Sequence, residues 1–247
     1  MTKLTSFCYQ ACLVLIAVLL VSPFATALHE PEKGPAKWRG YKFKQQDMKV
    51  AEKECDHGGK PLPEYVPTIR DGEPNMALLE QASFKVLNTI AGWCPKRHCD
   101  KYLNDGFYNN CRSWIMGAAP SWAQIDIGEV GNINRIIFGS DHSQGFADRA
   151  CNDFDILVAK DKAAEKSNAA TWKKVYEHKN GDPVRETTEF KFKDVQARWV
   201  RIDIRGADGA RIDELEIYGG RLPLAVDPVS KLTTTWSEIK TYPDYSR

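Results

Sequence analysis

Alternation of apolar and polar positions dominates the chain from residue 121 onward. Ala123, Ile125 and Ile127 fall on one face, and Gln124 and Asp126 on the other. Phe154, Ile156 and Val158 repeat the pattern. Thr188, Phe190 and Phe192 alternate with Glu189, Lys191 and Lys193, and Val200, Ile202 and Ile204 with Arg201 and Asp203. A side-chain period of two with one apolar face is what a half-buried antiparallel strand requires. Residues 172–176 supply a further short strand. Gly128, Gly131, residues 180–183 (Asn-Gly-Asp-Pro) and residues 206–209 (Gly-Ala-Asp-Gly) provide the turns between. Strands of this length at such short intervals predict an all-β sandwich. Residues 160–170 are the one stretch within it that reads as a short helix.

The closing strand breaks its own phase. Ile212 belongs inside, yet Leu215 and Ile217 have the opposite parity. A β-bulge near Asp213 and Glu214 would reconcile them. It would also turn the Glu214 carboxylate toward the core edge, where a buried charge needs a partner.

The flanks follow other rules. Lys3, the apolar run over residues 11–21 and the small-residue pattern Ala25-Thr26-Ala27 predict a secretory signal peptide over residues 1–27. Pro23 ends the apolar run too early for a spanning helix. Residues 28–74 are rich in charge and carry Pro61, Pro63, Pro67 and Pro74, so they read as a linker or pro-segment draped over the next domain, with neither helix nor central strand. Trp38, Tyr41 and Phe43 are its candidate docking residues. Met76, Leu79, Phe84 and Leu87 fit helical spacing. Residues 221–247 read as an extended C-terminal segment anchored by Trp236 and Ile239.

Composition narrows the class of function. The formal net charge is +1, and loss of Lys3 with the leader brings it to about zero. No basic field is present to gather nucleic acid. No second apolar run is long enough to span a bilayer, which argues against an integral membrane protein. Export leaves Cys55, Cys94, Cys99, Cys111 and Cys151 in an oxidising compartment. Cys94 with Cys99 would close a small loop, and Cys111 with Cys151 would join two loops. An odd count leaves one thiol over. Cys94, His98 and Cys99 lie together, but in no standard zinc-ligand spacing. No catalytic constellation emerges. Asp141, His142 and Ser143 are consecutive, whereas triad members come from separate elements.

Four segments carry a resemblance. Residues 121–128 (SWAQIDIG) and 133–138 (INRIIF) pair with residues 198–205 (RWVRIDIR) and 210–220 (ARIDELEIYGG). Together they resemble the discoidin, or coagulation factor 5/8 type C, domain of the galactose-binding-like superfamily. The resemblance covers about residues 75–220. It implies a discoidin-type jelly-roll β-sandwich with irregular N- and C-terminal extensions, and it turns residues 75–86 into an Asn-x-Ala opening followed by a first strand. It also implies a structural calcium held by Asp105 and Glu214, with Asn110 and backbone carbonyls near Tyr102 and Asp213 completing the oxygen shell. Without the ion, Asp105 would make an Asx-turn and Glu214 would pair with an arginine such as Arg112.

Jelly rolls of this kind bind at loops on one end. The loop spanning residues 141–149 holds His142, Gln144, Phe146, Asp148 and Arg149, an aromatic ring and hydrogen-bonding groups suited to the two faces of a sugar. The expectation is a secreted, extracellular or periplasmic, non-catalytic module for cell-surface or extracellular glycans. The alternative is an adhesion protein that binds a protein or phospholipid surface through loop-tip aromatics such as Phe107, Tyr108 or Phe146.

Overall fold

The computed structural model describes residues 41–54, 63–141, 147–160, 171–179, 181–206 and 209–219. The signal peptide, the helix expected within residues 160–170 and the C-terminal segment fall at or beyond the edges of these ranges, and residues 1–27, 161–170 and 221–247 lie outside the described residues. Within the ranges the architecture is a β-sandwich built around two long strands, β7 (Ser121–Gly139) and β10 (Thr188–Ile204). They pair antiparallel along their whole length, with register shifts between Lys191 and Val195 and between Ala197 and Trp199. Such irregularities let a strand leave one layer and enter another.

The first half of β7 lies between β4 (Ser83–Val86) and β10. Beyond β10 come β8 (Phe154–Ala159) and β9 (Lys173–His178). The second half of β7 instead lies between β10 and β12 (Glu214–Tyr218). Phe138 and Phe190, from the far halves of the long strands, pack on Phe154 with ring centroids 5.2 and 5.5 Å away. Ala123, Ile125, Ile156, Val200, Ile202 and Ile217 are all buried in this core. The alternation in the sequence therefore marks the inward face correctly.

The outward face of the larger layer departs from the simple pattern. Gln124, Trp122, Trp199 and Arg201 are buried too. The Arg201 guanidinium lies between Trp122 and Trp172, 4.2 and 4.1 Å from their rings, and donates two hydrogen bonds to Gln124 Oε1. Beside it, Arg198 grips Asp126 through two bonds of 2.6 Å.

Phase is restored at residue 213 by a change of partner. β11 (Arg211–Ile212) pairs with β6 (Trp114–Ile115), the chain bends at Asp213, and β12 then joins β7. This corrects the expected bulge within one strand: two short strands meet at a bend, and Ile212, Leu215 and Ile217 are all fully buried.

The region preceding residue 75 is also more structured than its prolines suggest. Helix α1 (Met48–Glu54) forms in the proline-free part, with Asp47 Oδ1 accepting from the Lys49 and Val50 amides as an N-cap. Phe43 bridges to Leu79, and the Lys44 amide donates to Leu78 O at 2.8 Å. Then β1 (Glu64–Tyr65) pairs with β5 (Phe107–Tyr108), and β2 (Ile69–Arg70) forms a hairpin with β3 (Glu73–Pro74). Asp71 and Gly72 both have positive φ, at 54° and 75°. A two-residue hairpin turn of this hand requires that conformation, and an Asp-Gly pair supplies it.

Candidate functional site

The strand register brings several loops to one end of the sandwich. Ile204 pairs with both Ser121 and Phe154, and Val86 pairs with Ala123. The loops leaving β4 and β10, and those entering β7 and β8, therefore converge there. A 3-10 turn over Ala147–Arg149 presents Arg149 at this end, where Nη1 lies 3.4 Å from Gly209 O. Arg149 Nε is 3.4 Å from the exposed Asp148 carboxylate. Nearby, Arg205 pairs with Asp153 at 2.6 Å and also with Asp155. The loop after β4 is closed by the Cys94–Cys99 disulfide and anchored by Asn88, whose Oδ1 accepts from the Gly117 amide and the Ser121 hydroxyl. It leaves Leu87 and Trp93 53% and 37% exposed, with the Arg97 guanidinium 4.2 Å above the Trp93 ring.

The floor of this end is a buried charge network around Arg211. Its guanidinium donates to Ser140 O and Asn110 Oδ1 and pairs with Asp141 at 3.3 Å and Asp213 at 3.0 Å. The neighbouring Cys151 is free and fully buried, and burial pushes its thiol up to about 11.

Elsewhere on the sandwich, Asp105 and Glu214 come together as expected. Glu214 accepts the Asp105 and Gly106 amides at 3.2 and 3.1 Å. Burial, and then the Asp105 and Glu216 charges, push its carboxyl well above the usual carboxylate range. Asp105 Oδ1 accepts the Phe107 amide in an Asx-turn, and Oδ2 pairs with Arg112 at 2.7 Å. The arginine thus reaches Asp105 rather than Glu214. Lys44 Nζ donates to Asn104 O at 3.3 Å, and Gln46 Nε2 donates to Val66 O and Gly106 O. Beside them a cleft of about 260 Å³ is lined by Lys44, Asp47, Phe84, Lys101, Asp105 and Arg112. Calcium prefers six to eight oxygens with no competing donors. Here the oxygens already face protein N–H groups and two cations, and Asn110 is engaged by Arg211 instead. This donor set does not fit the ion. Among the described residues, no group of three His, Cys, Asp or Glu side chains is placed to hold a metal.

Residues 102–202 match the family model described as F5_F8_type_C_2, NedA-like, galactose-binding domain. Over that stretch, less than half of its length, the chain is similar to this galactose-binding family. Among solved structures similar to it is chitosan-binding module 2 of a Paenibacillus sp. IK-5 chitosanase/glucanase, in complex with chitotriose. The two are 25% identical over 59% of this chain and 100% of that one, with a TM-score of 0.46. Module CpGH89CBM32-5 of Clostridium perfringens, in complex with GalNAc-beta-1,3-galactose, is 16% identical over 60% and 99% of the two chains, with a TM-score of 0.47. No curated protein matches.

The residues singled out in the sequence divide into groups. Asp148 and Arg149 lie on the loop end, while His142, Gln144 and Phe146 lie outside the described residues. Phe107 and Tyr108 are 2% and 4% exposed, because pairing with β1 covers them; they are corrected from loop-tip aromatics to core. The Cys111–Cys151 link is also corrected: Cys111 is disulfide-bonded and Cys151 is free. A zinc site at Cys94 and Cys99 is removed by their disulfide. Sequence reasoning missed Arg211, the hub beneath the loops. Its charge sits at a position of apparent strand alternation, and nothing local marks it as buried.

Proposed function

We propose that this protein is a secreted, non-catalytic carbohydrate-binding module that engages extracellular glycans through the loop end. The observation that carries the reading is the presentation of Arg149 on a domain matched by a galactose-binding family. Its partner Asp148 is solvent-exposed, and such an ion pair contributes only ~0–1 kcal/mol. A sugar can therefore displace it cheaply. A guanidinium offers five donors in a fixed fork, suited to adjacent hydroxyls. Export is supported by the leader pattern in residues 1–27.

The test is a glycan array followed by calorimetric titration with the best ligand. Arg149→Ala is expected to weaken binding by roughly 10- to 100-fold, the loss of one or two charged hydrogen bonds, with no change in Tm. Saturable binding indifferent to Arg149 sinks the assignment of the site. A second reading rests on the exposure of Leu87 and Trp93 at the same end. Vesicle binding without glycan binding, lost in Trp93→Ala, would favour attachment to a phospholipid surface.

A further inference from the structure

Two carboxylates, Asp105 and Glu214, lie together in a region nearly cut off from water, Glu214 accepting the Asp105 and Gly106 amides, and such a pair is stabilised by nearby positive charge. The chain itself provides it. Arg112 reaches Asp105 from the segment preceding β6. Lys44 arrives from the N-terminal strap and donates to Asn104 O at 3.3 Å; burial lowers its pKa, and the Glu214 and Asp105 charges oppose that shift. Gln46, two residues on, donates to the Val66 and Gly106 carbonyls. The strap is held in place independently, by the Phe43–Leu79 bridge and by hydrogen bonds from the Lys44 amide to Leu78 O and from the Glu80 amide to Lys42 O. Three cationic side chains, Lys44, Lys101 and Arg112, line the adjoining cleft, and a divalent ion placed there would meet like charge.

We propose that Lys44 and Arg112 take the place of a calcium ion, so that this domain carries its own counter-cations and folds without metal. The strap bearing Lys44 then belongs to the domain. Two like-signed side chains from different elements perform a task that a single divalent ion would otherwise perform from solution. Removing both would leave the Asp105 and Glu214 carboxylates and the Asn104 carbonyl without a cationic partner, while Gln46 still donates to the Val66 and Gly106 carbonyls, and the freed oxygens are of the kind calcium can use.

The experiment titrates the full chain with CaCl2 by calorimetry and with terbium by luminescence, and compares Tm in EDTA and in CaCl2. The wild type is expected to show no saturable binding and no difference in Tm. The double variant Lys44→Met/Arg112→Met is expected to lose Tm in EDTA and regain it in calcium, because binding to the folded state alone stabilises it. One tightly bound calcium in the wild type, with Tm falling in EDTA, would overturn the proposal. A double variant that folds and ignores calcium would overturn the placement of the cation position. If that variant folds in neither buffer, the wild-type titration decides alone.

Discussion

Single side chains in this protein take their roles from burial more than from type. Cys151 is the clearest case. It is fully buried, and its thiol is pushed from 9.0 up to about 11, chiefly by desolvation. In the unfolded chain the thiol loses its proton near pH 9, while the native state retains it. Between pH 9 and 11 the unfolded state therefore binds fewer protons, and stability falls as pH rises. The total is roughly 2–3 kcal/mol at 1.36 kcal/mol per unit. Urea denaturation of wild type and Cys151→Ala across that range should show the wild type losing stability relative to the variant. The free thiol should also resist alkylation at pH 8 until the protein unfolds. Arg211 behaves in the same spirit: a charged residue becomes a structural hub because Ser140, Asp141, Asn110 and Asp213 close around it.

At the scale of elements, the strap over residues 43–47 and the turn at Gly106 depend on each other. Gly106 has φ +88°, and a Cβ placed on it would come within 2.3 Å of the Gln46 amide. Gly106→Ala should therefore both strain the turn and dislodge Gln46. The expected cost is about 2–4 kcal/mol, read as a lower urea midpoint with m unchanged. Proteolytic cleavage within residues 43–54 should also rise. The Asp71-Gly72 hairpin is the element most open to sequence reading in this region, since the dipeptide itself signals its turn. The prolines around it conceal that signal by arguing against strands. Pro74 is nonetheless accommodated at the end of β3, within a two-stranded hairpin. Helix α1 was equally concealed, since seven residues are too few to show a helical period against charged neighbours.

At the scale of the whole molecule, the sandwich has a second packed surface outside its main core. Trp122, Trp199 and Arg201 close the outer face of the larger layer. Burial draws the Arg201 guanidinium down to about 10. Arg201→Ala opens a gap between Trp122 and Trp172 and is expected to cost about 2–3 kcal/mol, whereas Arg201→Met fills most of the gap and removes a buried charge, so it should cost less. Differential scanning calorimetry of the two variants would separate packing from charge. The sequence alone determined the inward faces and the sandwich class, because strand periodicity is a local property; that Asp105 and Glu214 belong together came only as what the family resemblance implied. Tertiary structure alone decided the rest: the exchange of β12 from one partner to another, the burial of Phe107 and Tyr108, and the delivery of Lys44 and Arg112 to the two acids. Most of those outcomes depend on segments distant in the chain meeting in space, such as β1 with β5 and β12 with β7, and the period of a strand says which face a side chain takes but not which segment will cover it.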